Sequence, residues 1–198
     1  MKFTKSDKTK QFIIAQSSAV FNTKGYTGTS LQDIMNVTGL TKGGIYGNFK
    51  NKEEIAYLVF DYNVRLVMDQ VRQKIMAEDN AKDKLLAIVN FYKNYYYKPP
   101  VAGGCPMLNL AIEVDDTHPG LRIKVVEALT VLRESVKSIL IKGQKYNQVN
   151  SEFDVNRFST LFLAIVEGGI MMSRTFQEPK YLNECLAHLI DMINNIKA

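Results

Sequence analysis

The side chains able to do covalent or metal chemistry are few. Two cysteines, Cys105 and Cys185, and two histidines, His118 and His188, are the whole supply of thiol and imidazole. Asp115, Asp116 and His118 lie together with Cys105 upstream, a set that could bind a divalent metal. No pair of ligand spacings repeats, as a zinc site requires. A turn and helix start at Asp115-Asp116-Thr117-His118-Pro119 accounts for the same residues. Gly103-Gly104 follows no strand, so it does not form a phosphate-cradling loop. No cofactor or metal is expected. Cys105 sits beside a loop and near a helix start, where a thiolate is favoured, so a thiol redox sensor is a second reading. Cys185 falls on an apolar stripe and reads as buried and inert. A small helical enzyme is a further alternative, without a motif to support it.

The lysines carry a different chemistry. Residues 1–52 hold eight lysines against two acids, Asp7 and Asp33, a balance of +6; the rest of the chain is at −1, for a net +5. A basic quarter on a neutral body suggests a polyanionic partner. The N-terminal MKFTKSDKTK has no apolar leader. No stretch approaches about 18 uninterrupted apolar residues, so no membrane span is expected. Two cysteines fit a reducing cytoplasm. At 46% hydrophobic and 23% charged residues, the chain can bury a core.

Helical periodicity runs throughout, and no strand pattern lasts long enough for a sheet. Ile13, Ile14, Ser17, Val20 and Phe21 form a stripe that Gly25 stops. Ser30, with Asp33 three residues on, resembles a capping box that opens a short helix. Gly39 ends that helix, and Thr41 can cap a second one carrying Ile45, Tyr46 and Phe49. Asn51-Lys52-Glu53-Glu54 opens a long helix to about Met76, with acids at its positive end. Further helices are expected at about Lys82–Tyr97, before Pro99-Pro100, and at Met107–Val114. Others follow through Val125–Leu140, over 154–176 and over 182–196. The expected fold is all-α, with about nine helices.

Ser30 to Phe49, SLQDIMNVTGLTKGGIYGNF, places two short helices about a turn at Thr38-Gly39-Leu40. Leu31, Ile34, Leu40, Ile45 and Phe49 would hold them crossed against the preceding helix. This is helix-turn-helix geometry, in which the second helix can enter the major groove. Lys42, at that helix's N-terminus, is the leading base or phosphate contact. Base readout would fall to Thr41, Lys42, Tyr46 and Gln32. Gly43, Gly44 and Gly47 cost about 0.5–1 kcal/mol each in a helix interior and remove reading side chains. Shape and backbone contacts should therefore carry a large share of recognition.

Residues 8–60 resemble the DNA-binding domain of the TetR family of bacterial transcriptional regulators. The resemblance rests on Phe21, Gly25, Tyr26, Thr29, Ser30, Ile34, Gly39, Leu40, Thr41, Lys42, Gly44, Ile45, Tyr46, Phe49, Lys52 and Glu53, in register without a gap. GGCPMLNLAIEVDD resembles a stretch in one subset of the family's ligand domains. Met35 and Thr38 stand where the family has small alanines, and Asn48 where it often has His. The resemblance implies a three-helix N-terminal helix-turn-helix domain, 1–52, with its motif at 30–49. It implies a helical ligand-binding and dimerisation domain, 53–198. The two would share the long helix, with the boundary inside it near 60–75. It also implies phosphate contacts from Thr29, Ser30, Tyr46, Asn48 and Lys52. The partners would be double-stranded DNA, a second copy of the chain and a small-molecule effector, with no membrane. The family's common mode is repression relieved by a ligand.

Residues 154–176 are apolar on nearly every side, which requires burial on every side. One side would then meet another subunit through Phe162, Val166 and Gly169, with Leu186, Leu189 and Ile193 of the last helix. A twofold pair would place two recognition helices about 34 Å apart or somewhat more on a pseudopalindrome. An effector pocket is expected from Tyr92, Tyr95, Tyr96, Met107, Asn109, Glu113, Met172 and Phe176, an apolar set with a few polar groups.

Overall fold

A computed structural model describes residues 4–197. Among these residues there are nine helices and no strand: α1 Lys5–Gly28, α2 Leu31–Thr38, α3 Lys42–Tyr46, α4 Lys52–Met76, α5 Ala81–Tyr92, α6 Pro106–Val114, α7 Pro119–Lys145, α8 Val155–Phe176 and α9 Lys180–Asn194. The all-α expectation holds. The chain divides into two compact units. The first runs to Leu66 and also takes Val101–Val126; the second holds Val67–Pro100 and the residues from Glu127 on. The division at Leu66 falls inside the long helix. The inclusion of α6 and the start of α7 in the first unit was not expected from sequence, which assigned everything after residue 52 to the second domain.

In the first unit, helix boundaries follow cap chemistry. Thr4 and Asp7 form a capping box at α1, and Ser30 and Asp33 form one at α2. Gly39 closes α2 at φ +68° and donates its N–H to Met35 O. Ile13, Ile34, Ile45 and Ile55 are fully buried, with Phe49 beside them, while Leu31 and Leu40 are only half-buried. Thr38 fits where a smaller residue was expected because its hydroxyl donates to Ile34 O at 2.7 Å and accepts from the Leu40 N–H.

In the second unit, α8 packs on α9. Gly169 lets them approach: a Cβ there would lie 3.0 Å from Cys185 Cβ. Ser173 Oγ accepts the Leu182 N–H at 2.7 Å. Helix α8 is not buried all round, although apolar residues lie on every side of it. Phe162, Val166, Gly169 and Ile170 are buried inside the chain with Leu182, Leu186, Leu189 and Ile193. All six residues assigned to a dimer interface, Phe162, Val166, Gly169, Leu186, Leu189 and Ile193, therefore face their own subunit's core. The apolar residues left exposed are Leu161, Met171, Met172 and Phe176. By length and composition alone α8 is long and apolar enough to cross a membrane, which for a single helix is weak evidence of a span. Asp154 caps its N-terminus, and its inner face packs on α9.

Helix α5 stops at Tyr92 instead of reaching Tyr97. Hydrogen bonds from Lys93 N–H to Asn90 O, Tyr95 N–H to Tyr92 O and Tyr97 N–H to Asn94 O tighten the chain into three-residue turns. The tightening brings the buried Tyr92 and Tyr95 rings to 5.1 Å.

Candidate nucleic-acid interface

Helices α2 and α3, joined at Gly39, present the outward face of the first unit. Thr41 caps α3, its hydroxyl accepting the Gly44 N–H at 3.2 Å. Ile45 is fully buried and fixes the helix to the core, which turns Lys42, Gly43 and Tyr46 outward; Tyr46 is 37% exposed. This short helix, with amide groups and a lysine at its N-terminal end, suits an anionic backbone and the edges of bases. Gln32 is exposed on α2, its amide donating to Asn36 Oδ1 at 2.8 Å.

Other residues named from sequence hold the face together from behind. Thr29 is fully buried, and its hydroxyl donates to Gly25 O at 2.6 Å, so it closes α1 and does not offer a phosphate contact. Lys52 Nζ donates to Tyr26 O at 2.8 Å and Thr29 O at 3.0 Å and lies 4.5 Å from the Tyr26 ring centroid. Its charge is spent on the turn between α1 and α2. Asn48 Nδ2 donates to Gly44 O, covering a carbonyl at the end of α3, and its Oδ1 accepts from Ser6 Oγ at 3.2 Å. Ser30 is exposed, with its hydroxyl in the capping box. Sequence reading missed Ser6 and also Lys10, whose Nζ stands 5.7 Å from the Phe49 ring centroid. The basic run of α1 was the available signal, but only the fold brings it beside the end of α3.

Gly44 is half-buried, 3.5 Å from Leu40 Cβ at its Cβ position, whereas a Cβ at Gly43 would meet nothing nearer than Thr41 Oγ at 4.0 Å. The fold does not require glycine at 43, but close approach to a duplex would. Gly43→Ala is expected to raise the thermal midpoint, consistent with about 0.5–1 kcal/mol of helix stabilisation. The same sample should bind its DNA about tenfold more weakly, as a misplaced backbone loses roughly one contact.

Lys24 pairs with Asp33 at 2.6 Å. That hydrogen bond, with those from the Ser30 amide and hydroxyl, holds the Asp33 carboxyl well below the usual carboxylate range. A folded value depressed in this way gives stability that is present above the unfolded value of about 3.9 and is lost as pH falls below it. Asp33→Asn should lower the thermal midpoint at neutral pH, with the gap to the parent closing below about pH 4.

The residues expected to meet an effector fall in both units. Tyr92, Tyr95 and Met107 are buried, and Tyr96 is half-buried. Met172 and Phe176 are on the exposed face of α8. Asn109 and Glu113 are committed to backbone partners within the first unit. A cleft of about 270 Å³ in the second unit is lined by Asn80, Lys82, Leu85, Gln148, Val149 and Ile196, none of them foreseen. Among the described residues, no group of three or more His, Cys, Asp or Glu could hold a metal. His118 Nδ1 accepts the Leu121 N–H at 3.1 Å, and the Asp116 N–H donates to Asp115 Oδ1.

Residues 13–57 match the bacterial regulatory proteins of the tetR family, and residues 81–189 match the tetracyclin repressor-like C-terminal domain. A crystal structure of a TetR-family regulator from Cytophaga hutchinsonii is 38% identical. It superposes with a TM-score of 0.93 over 100% of this chain and 99% of that one. An HTH-type transcriptional regulator encoded in the lacX 3' region of Lactococcus lactis is 30% identical over 135 residues, 65% of this chain and 66% of the relative. The transcriptional repressor NemR of Escherichia coli (strain K12) is 19% identical over 193 residues, 97% of this chain and 96% of the relative.

Proposed function

Because the chain belongs to the TetR family and is a DNA-binding transcriptional regulator, we propose that it is a homodimeric cytoplasmic repressor released from a pseudopalindromic operator by a small molecule. The observation that carries this reading is the outward face of α3, where Lys42, Gly43 and Tyr46 stand free of the core that Ile45 anchors. Lys42, Thr41, Tyr46 and Gln32 supply the side-chain contacts, and the bare glycines leave shape and backbone contacts a large share. Ser30 and Asn48 lie at the edges of the face, where phosphates pass. Repression is the activity named for the relative from Escherichia coli.

The second copy is supported by Leu161, Met171 and Met172, apolar residues that α8 leaves exposed. The buried rings of Tyr92, at the end of α5, and Tyr95, in the turns that follow it, are the strongest remaining candidates to meet an effector. An effector releases DNA only by binding the non-binding conformer more tightly. A thiol switch at Cys105 is disfavoured because that side chain is 1% exposed, closed to oxidants. The test is transcription from a promoter carrying the site the chain selects, with a compound screen on the bound complex. The reading expects transcription to fall when the chain is added and to return with at least one compound. Unchanged transcription contradicts repression, and a screen in which nothing alters affinity contradicts effector release.

A further inference from the structure

The last turn of α1, beyond its kink at Gly25, is held by a side chain 87 residues further along the chain. Gly25, at φ +76° and ψ 175°, interrupts the helical ladder of α1. The turn that restarts at Tyr26 has amide groups that need acceptors from outside the helix. Glu113 of α6 supplies both: Oε2 accepts the Tyr26 N–H at 2.8 Å, and Oε1 accepts the Thr27 N–H at 2.7 Å. A side chain at Gly25 would be strained by the positive φ and would fall on the Glu113 carboxylate. From the other side of the turn, Lys52 donates to the Tyr26 and Thr29 carbonyls. One turn before Glu113, Asn109 Nδ2 donates to Asn22 O at 3.0 Å and Gly103 O at 2.9 Å. Asn22 in turn donates to Ala102 O and Gly104 O. Segment 102–113 is thus laced to the last turns of α1, within one compact unit.

We infer that Glu113 is a positioning residue for DNA binding: by accepting the Tyr26 and Thr27 amides it fixes the elbow from which α2 and α3 are hung, and so the pose of the recognition helix. The inference rests on the chain being a DNA reader. A carboxylate is needed because both oxygens accept and neither amide proton can be returned; a carboxamide would turn an N–H₂ toward an N–H. Burial pushes the Glu113 carboxyl up, but the hydrogen bonds from Thr27 and Tyr26 and the nearby Lys52 charge outweigh it and leave the group below its ordinary value. Among the residues sequence reading assigned to an effector pocket, Glu113 and Asn109 thereby acquire a different role.

The test uses the full chain and two duplexes: one enriched by the wild-type chain from random-sequence DNA, and a scrambled one. Glu113→Gln is expected to weaken binding of the enriched duplex about tenfold or more and of the scrambled duplex by less than about twofold, as the loss of two charge-assisted bonds at the elbow implies. Amide exchange at Tyr26 and Thr27 should rise while overall helix content stays the same. A residue that only stabilised the fold would lower the thermal midpoint without changing the ratio between the two duplexes. A folded Glu113→Gln chain that binds the enriched duplex within about twofold of the wild type overturns the inference. If that variant does not fold, Glu113→Asp replaces it, with the charge kept and the reach shortened; it should show a smaller loss of the same ratio, and an unchanged ratio overturns the inference equally. Failure of the wild-type chain to enrich any sequence would overturn the DNA-reading premise itself, which separates the two failures.

Discussion

Alanine at both Lys42 and Tyr46 lowers affinity for the operator duplex by upward of about 100-fold and leaves the fold intact. Each base contact is worth about 1–3 kcal/mol, and a paired reader makes each of them twice. Neither side chain belongs to the core: Lys42 is exposed at the first position of α3, and Tyr46 is more than a third exposed, while Ile45 between them is fully buried. The loss should therefore appear in binding and not in the thermal midpoint. The salt dependence separates the two residues. A lysine on a phosphate contributes about 0.9 to the slope of log affinity against log salt, per contact. Lys42→Ala alone should flatten that slope if it holds a phosphate, and relax base preference at one position of each half-site if it reads a base. Titration of labelled duplex at several salt concentrations distinguishes these outcomes.

If the chain pairs through the outer face of α8, as proposed, Met171→Glu should separate the subunits. Met171 is 44% exposed on the outer face of α8, with Leu161 and Phe176 exposed on the same helix. A carboxylate carried into a packed apolar interface costs several kcal/mol unless it finds a partner, while on a solvent-exposed face it costs almost nothing. The variant should sediment as a monomer where the parent is a dimer, with helix content unchanged. Affinity for a two-half-site duplex should fall about 100-fold or more, because the second half-site is no longer engaged at high effective concentration. Phe162→Glu provides the contrast. That side chain is buried within one subunit, so its substitution should unfold the second unit and not merely split a dimer.

The contrast between those two substitutions marks where sequence reading succeeds and where it stops. Ser30, Asp33, Gly39 and Thr41 signal their helix boundaries through hydrogen bonds spanning three or four residues, and such bonds can be read locally. The helix-turn-helix motif was legible for that reason. On α8, apolar residues lie all round the helix, and only its partner α9 decides which side is covered. Phe162, Val166 and Gly169 were accordingly placed on the wrong face. The roles of Lys52 and Glu113 were hidden for a related reason. Lys52 meets carbonyls 23 and 26 residues away, and Glu113 meets amides 86 and 87 residues away. No periodicity records such partners. Each looked like a surface or pocket residue until its backbone neighbours were in place. The end of α5 was missed because three-residue turns after Tyr92 carry no breaker before Pro99.

Under the proposed function, the first unit, carried in pairs, reads a duplex through α3. Selection of bound duplexes from a random-sequence library by the full-length chain, followed by measurement of chain-to-duplex stoichiometry, tests this most directly. The expected result is one enriched pseudopalindrome, with half-site centres about one helical turn apart or somewhat more, bound by an even number of chains. Enrichment of nothing, or of a single asymmetric site held by one chain, would contradict it.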